Sequence, residues 1–171
     1  MAQDRDRLVL ARCRCGQVEI EARGKPIAAV ICHCDDCRAA GLELAALPGA
    51  PPVLDNWGGT ANVLYRKDRL HFSRGAELLV GHKLRPDSAT NRAVAGCCNT
   101  PMAITFDDAR HWVPLYRDRL SGAVPPVQWR ICTKFVPPGT NLPPDVPAHS
   151  MYPLGMMAGL ALSALAMLLP G

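Results

Sequence analysis

Seven of the eight cysteines fall into three tight groups: Cys13 and Cys15, then Cys32, Cys34 and Cys37, then Cys97 and Cys98. Zinc favours thiolates, four to a tetrahedron, and cysteines close together on a turn supply them at little ordering cost. A lone Cys-x-Cys is a weak pattern. Cys-His-Cys-x-x-Cys adds a third donor, and three groups on one chain make metal ligation the reading that uses most of the thiols. Redox chemistry competes with it, because Cys34-Asp-Asp-Cys37 has the spacing of a dithiol pair. Asp35 and Asp36 oppose that reading, since negative charge beside a thiol raises its pKa. Cys132, alone in the stretch WRICTKF, reads as a buried apolar residue. His33 sits between two cysteines, and successive side chains alternate, so its imidazole is expected to point away from a metal. His71, His82, His111 and His149 are isolated and carry no signal of their own.

The elements that must position these groups read mostly as short strands. Residues 8–11 and 18–22 alternate apolar and polar around a Cys-Arg-Cys-Gly turn, a hairpin-like pattern in which Gly16 is free to take positive φ. Residues 26–34 predict a third strand that runs into the CHCDDC loop. Asp35 and Asp36 suit the first turn of a short helix that Pro48 must end. After a loop at residues 47–60, strands are expected at residues 61–66, 70–72, 78–84, 91–96 and 102–106. Turn residues between them indicate an antiparallel, mainly β domain.

With 171 residues, 49% of them hydrophobic and 20% charged, the chain suits one globular domain rather than a disordered one. Aromatic residues make up only 5%, beside 14 Gly and 16 Pro, so a small core in need of a staple is expected. The net charge of +4 is spread without the dense basic run of a nucleic-acid footprint, which disfavours nucleic acid as a partner. MAQDRDRLVL opens into no secretory apolar segment, and a reducing, cytoplasmic setting for the thiols is expected.

The chain divides by composition into a β domain over residues 1–135, a proline-rich tether over 136–153 and an apolar helix over 154–171. That helix, LGMMAGLALSALAMLLPG, has no charged residue and is apolar all round, so it must bury against something. Docking on the domain, a homodimer and a membrane surface are the three options. Its length is borderline for a span, and it lacks Lys, Arg or Trp anchors.

Three motifs, CRCG, CHCDDCR and CCNTP, together resemble those of the glutathione-dependent formaldehyde-activating enzymes and their relatives, a superfamily that includes the domain of centromere protein V. The likeness covers roughly residues 8–106 and is nearest to a branch with GGT, here at residues 58–60, and CCNTP. It implies a β-tent zinc fold, antiparallel sheets converging on metal, with one or two zinc ions per chain. The resemblance also implies that Cys13, Cys15 and Cys98 hold a structural zinc, and that Cys32, Cys34 and Cys37 hold a second one where glutathione acts. The distal motif departs from the family's Cys-x-x-Cys-Gly: Ala95 stands where the first cysteine belongs, and Asn99 stands for Gly. Asn tolerates the left-handed backbone well. Cys97 can replace the missing ligand only if the chain turns at this point, because neighbours in a strand face opposite ways; otherwise water or another donor closes the site.

Two functions follow. The first is a carbon–sulfur lyase-type enzyme on an adduct of glutathione or another small thiol, with Cys32, Cys34 and Cys37 as its site, since three thiolates leave zinc the open position that catalytic sites keep. Arg38, with Lys83, Arg85 and Arg92, is then a candidate to bind carboxylates of that ligand. The alternative is a non-catalytic, zinc-stabilised binding or scaffold module with both metals structural.

Overall fold

The computed structural model describes residues 7–168 and is mainly β, with two sheets and two α-helices. The smaller sheet has β1 (Leu8–Arg12), β2 (Glu19–Arg23), β5 (Leu70–Arg74) and β10 (Leu120–Gly122), in the order β10-β1-β2-β5. The larger has β3 (Ala28–Cys32), β4 (Thr60–Arg66), β6 (Leu79–His82), β7 (Thr90–Ala95), β8 (Thr100–Phe106), β9 (Trp112–Tyr116) and β11 (Trp129–Ile131). Its order is β11-β3-β4-β9-β8-β7-β6, and only the β11–β3 pair among these is parallel.

Alternation decides which face each strand buries. In the β1–β2 hairpin Val9 pairs with Ala22 and Ala11 with Ile20, and all four are fully buried. They pack on Val63, Tyr65, Met102 and Leu115 of the larger sheet, so the main core lies between the two sheets. β3 is buried along its whole length, as a strand covered on both faces must be. Its Ala29 joins the main core, while Ala28, Val30 and Cys32 turn to a second cluster with Leu64, Ile131 and Cys132.

Five expected strands appear as β4 to β8, with ends shifted by a few residues. β9, β10 and β11 were not legible in the sequence. Pro114 interrupts the β9 pattern, since proline lacks the donor a ladder needs, and β10 and β11 are three residues each, too short to show a period. The expected helix is α1 (Asp35–Ala45), which buries Ala40, Gly41 and Leu44.

The proline-rich segment does not run free. Arg130 donates its N–H to the Pro147 carbonyl, and the N–H of His149 returns to Arg130, which straps residues 145–149 along β11. The apolar helix α2 (Leu154–Leu168) then rests on the second cluster through Met156 and Leu160, with Ser163 bonded to His111. Docking therefore uses one stripe; Leu154, 88% exposed, and Leu162, Leu165 and Leu168 face outward. No described helix is long and apolar enough to cross a membrane.

One buried ionic network ties the strap to the loop before β4. Arg130 is 2% exposed and meets Asp145 through Nε and Nη2, each at 3.1 Å, and Asp55 through Nη1 at 3.0 Å. Nη1 also lies 3.3 Å from Nε2 of His33, which is fully buried. Burial holds the His33 pKa below the ordinary imidazole value. Asp55 also accepts the N–H groups of Trp57 and Gly59, closing the turn that feeds β4. A Cβ at Gly59 would lie 2.4 Å from Ile31 and 2.7 Å from the His33 ring, so glycine is required there. Asp55→Ala removes the turn's acceptor and one partner of a buried cation. It should lower stability by about 3 kcal/mol in urea unfolding at constant metal load; a loss below about 1 kcal/mol would reduce the network to a surface ion pair.

Candidate metal centres

The first centre joins two hairpin turns. Cys13 and Cys15 lie in the turn after β1, which Gly16 closes at φ +78° by donating to the Cys13 carbonyl. Cys97 and Cys98 lie in the turn between β7 and β8, closed by Asn99 in the left-handed region at φ +52°. The turn answers the question the sequence left open: it bends both thiols to the same side. All four sulfurs lie within 4.8 Å of one another. Cys13–Cys15 is 3.6 Å, Cys13–Cys97 3.9 Å, Cys15–Cys97 3.3 Å and Cys97–Cys98 3.9 Å. A zinc tetrahedron with bonds near 2.3 Å needs sulfurs about 3.8 Å apart, so the set fits a closed four-thiolate site. Ala95, aligned with the first cysteine of the distal motif that the sequence resembles, is fully buried inside β7. Burial alone would raise the Cys98 pKa, but hydrogen bonds, first from Thr100 Oγ1 at 3.0 Å, bring it down to about 6.

The second centre lies where β3 meets α1. Cys32 ends the strand, Cys34 is the helix N-cap and accepts the Cys37 N–H at 3.4 Å, and Cys37 sits in the first turn. Their three sulfurs also lie within 4.8 Å of one another. Hydrogen bonds from Cys32 and then Cys37 hold the Cys34 thiol down at about 3, against the opposing effect of burial. Cys32 is held protonated, first by its contact with Cys132.

Cys132 was read as an apolar residue, and it is buried. Parallel pairing of β11 with β3 also sets it beside Cys32, with Tyr152 in hydrogen-bond reach of its thiol. It stays outside the group of three. Nothing in the spacing marks Cys132 or Tyr152, because a parallel pair of distant segments leaves no local pattern.

A cavity of about 350 Å³ opens beside the three thiols, all of which line it. Tyr152 and the α2 residues Met156, Met157 and Leu160 form its cover. Of the four candidate cations, only Arg92 reaches it. Arg38 donates to the Phe135 carbonyl and packs under Gly58, Lys83 pairs with Asp107, and Arg85 lies near Asp36 at the surface.

Residues 9–47 match the family model described as glutathione-dependent formaldehyde-activating enzyme, a span that holds the first two cysteine groups. No curated protein matches the chain. Among solved structures, the crystal structure of a Rhodobacter sphaeroides protein is similar at 18% identity over 82% of this chain and 99% of that one, with a TM-score of 0.46.

A structural zinc contributes an apparent ~10–16 kcal/mol, as much as the whole net stability of a domain. Cys13→Ser or Cys15→Ser should therefore give unfolded or insoluble protein. Soluble variants with the parent's melting curve would show that the four sulfurs are not a structural ligand set.

Proposed function

We propose, from the membership of the glutathione-dependent formaldehyde-activating superfamily that the match over residues 9–47 supports, that this chain is a zinc protein with carbon–sulfur lyase-type activity on a thiol adduct. Cys13, Cys15, Cys97 and Cys98 would hold a structural ion, and Cys32, Cys34 and Cys37 a second. A small thiol such as glutathione is the family's precedent for the ligand. The observation that carries the reading is the asymmetry of the two thiol groups: four sulfurs close on one another in the first, whereas three face a cavity in the second.

When bound at the second centre, zinc supplies a Lewis-acidic fourth position suited to a sulfur ligand. The chain's residues supply the rest. The end of β3 and the N-cap of α1 hold three sulfurs in place on rigid elements. Cleavage of a thiol–aldehyde adduct breaks the carbon–sulfur bond with its electron pair left on sulfur, while the hydroxyl oxygen gives its proton to solvent and that O–H pair becomes the second bond of the carbonyl. The helix N-terminus and the Arg92 guanidinium favour the negative charge that develops on sulfur. Apolar walls of Trp112, Met156 and Leu160 keep water from competing for the adduct.

A scaffold role is favoured by one observation, the Cys132 thiol beside Cys32, which would become a fourth donor only if it moved into the group of three. Metal analysis and cobalt spectra separate the two readings. Protein purified without added zinc should hold two ions per chain, and the visible band of the second cobalt site should shift when a small thiol is added. The shift should vanish in Cys34→Ser or Cys37→Ser while the fold survives. A band indifferent to thiols, with loss of folding in both variants, would establish the scaffold instead; absence of metal, with mass shifts for disulfides, would remove both.

A further inference from the structure

α2 carries two stripes on opposite faces. Met156, Leu160 and Ser163 meet the domain, and Gly159 lies against Ile27. The other stripe, Leu154, Ala158, Ala161, Leu165 and Leu168, is exposed at every position, with Leu165 at 58% and Leu168 at 79%. Met157 and Leu162 flank it and are exposed as well. Together these side chains show water on the order of 700 Å² of apolar surface, where the largest patch of a monomer is usually ~300–600 Å². A standard interface buries ~800 Å² per partner, so the face is of the size that a stable dimer needs. A helix seated on lipid is held by Lys or Arg beside its apolar side chains, and α2 has no charged residue.

We propose that this face is an interface between two copies of the chain, in which α2 packs antiparallel on its counterpart about a twofold axis at Ala161. Successive stripe positions are four, three, four and three residues apart, the spacing that keeps a seam on one face of paired helices. An isologous contact needs a surface complementary to itself. Turned end for end about Ala161, the stripe meets that condition. Leu154 comes opposite the partner's Leu168, and Ala158 opposite the partner's Leu165, small against large. Two alanines at the axis let the backbones approach, so the leucines interdigitate rather than collide. Pairing also bears on the cavity, because Met157 both flanks the stripe and lines the space beside the thiols. A second copy would brace from outside a cover that the domain holds along one stripe.

Sedimentation equilibrium of the purified full-length protein at micromolar concentration tests the pairing. The expected mass is twice that of one chain. Leu165→Glu, on the outer face, should weaken association by about a hundredfold or more, because each dimer would bury two unpaired carboxylates. Its metal content and circular dichroism should match the parent's. Adding Ala158→Lys to it should restore most of the dimer, since antiparallel pairing sets the new cation against the new carboxylate of the other copy. Monomer mass for the parent protein overturns the proposal, whether or not the variants fold. A mass that keeps rising past the dimer overturns it too, as the mark of open-ended contacts. Flotation of a monomeric parent with vesicles of phosphatidylcholine and phosphatidylserine would assign the face to lipid instead. A dimer untouched by Leu165→Glu places the interface elsewhere, and a double variant no better than the single one overturns the antiparallel register.

Discussion

The joining of two hairpin turns through four sulfurs is the constraint on which the rest of this fold depends. Cys13 and Cys15 belong to the smaller sheet, Cys97 and Cys98 to the larger, and their convergence within 4.8 Å clamps the sheets together at one end. The core between the sheets is built of small side chains: Val9, Ala11, Ala22, Ala95 and Ala103 fill much of it. Small side chains remove little apolar surface from water each, at ~25 cal/mol per Å². A metal held by the four sulfurs would be the physical complement of such a core, in a chain poor in aromatics that must support two sheets.

The second centre is held differently. Its three thiols sit within six residues at one strand-to-helix junction, so they do not join distant parts of the chain. Their position depends on what surrounds β3: β4 on one side, β11 on the other, and the Arg130 network with Asp55, Asp145 and His33 beneath the loop. Because His33 is turned into that network, its neighbours Cys32 and Cys34 are free to face the opposite way. A local thiol group on a rigid junction is suited to exchange a ligand without unfolding the domain, which a staple between two sheets is not.

The cavity is completed by the C-terminal half of the chain. β9 contributes Trp112, β11 contributes Ile131, and α2 with Tyr152 covers the opening. The narrow docking stripe of α2 leaves most of an apolar helix exposed, so the element that covers the pocket is itself held by few contacts. The strap that precedes it is anchored by Arg130. The buried ion network thus positions both the floor of the second centre and the approach to its cover.

The three cysteine groups, the hairpin around Gly16, the helix after CHCDDC and the strands β4 to β8 were legible in the sequence, because each leaves a local mark: ligand spacing, alternation, or a turn residue. Asn99 in the left-handed region followed from its chemistry in the same way. The partnership of Cys97 with Cys13 and Cys15, the nearness of Cys132 to Cys32 and the burial of Arg92 at the thiols left none. Side-chain direction in a turn depends on backbone angles that one substitution cannot report, and the parallel β11–β3 pair joins segments about a hundred residues apart with no periodic signature. Residue types and spacing determined that this chain could bind metal. Only the tertiary structure decided which sulfurs close on one another and which look into a pocket, because that distinction lies in the space between elements.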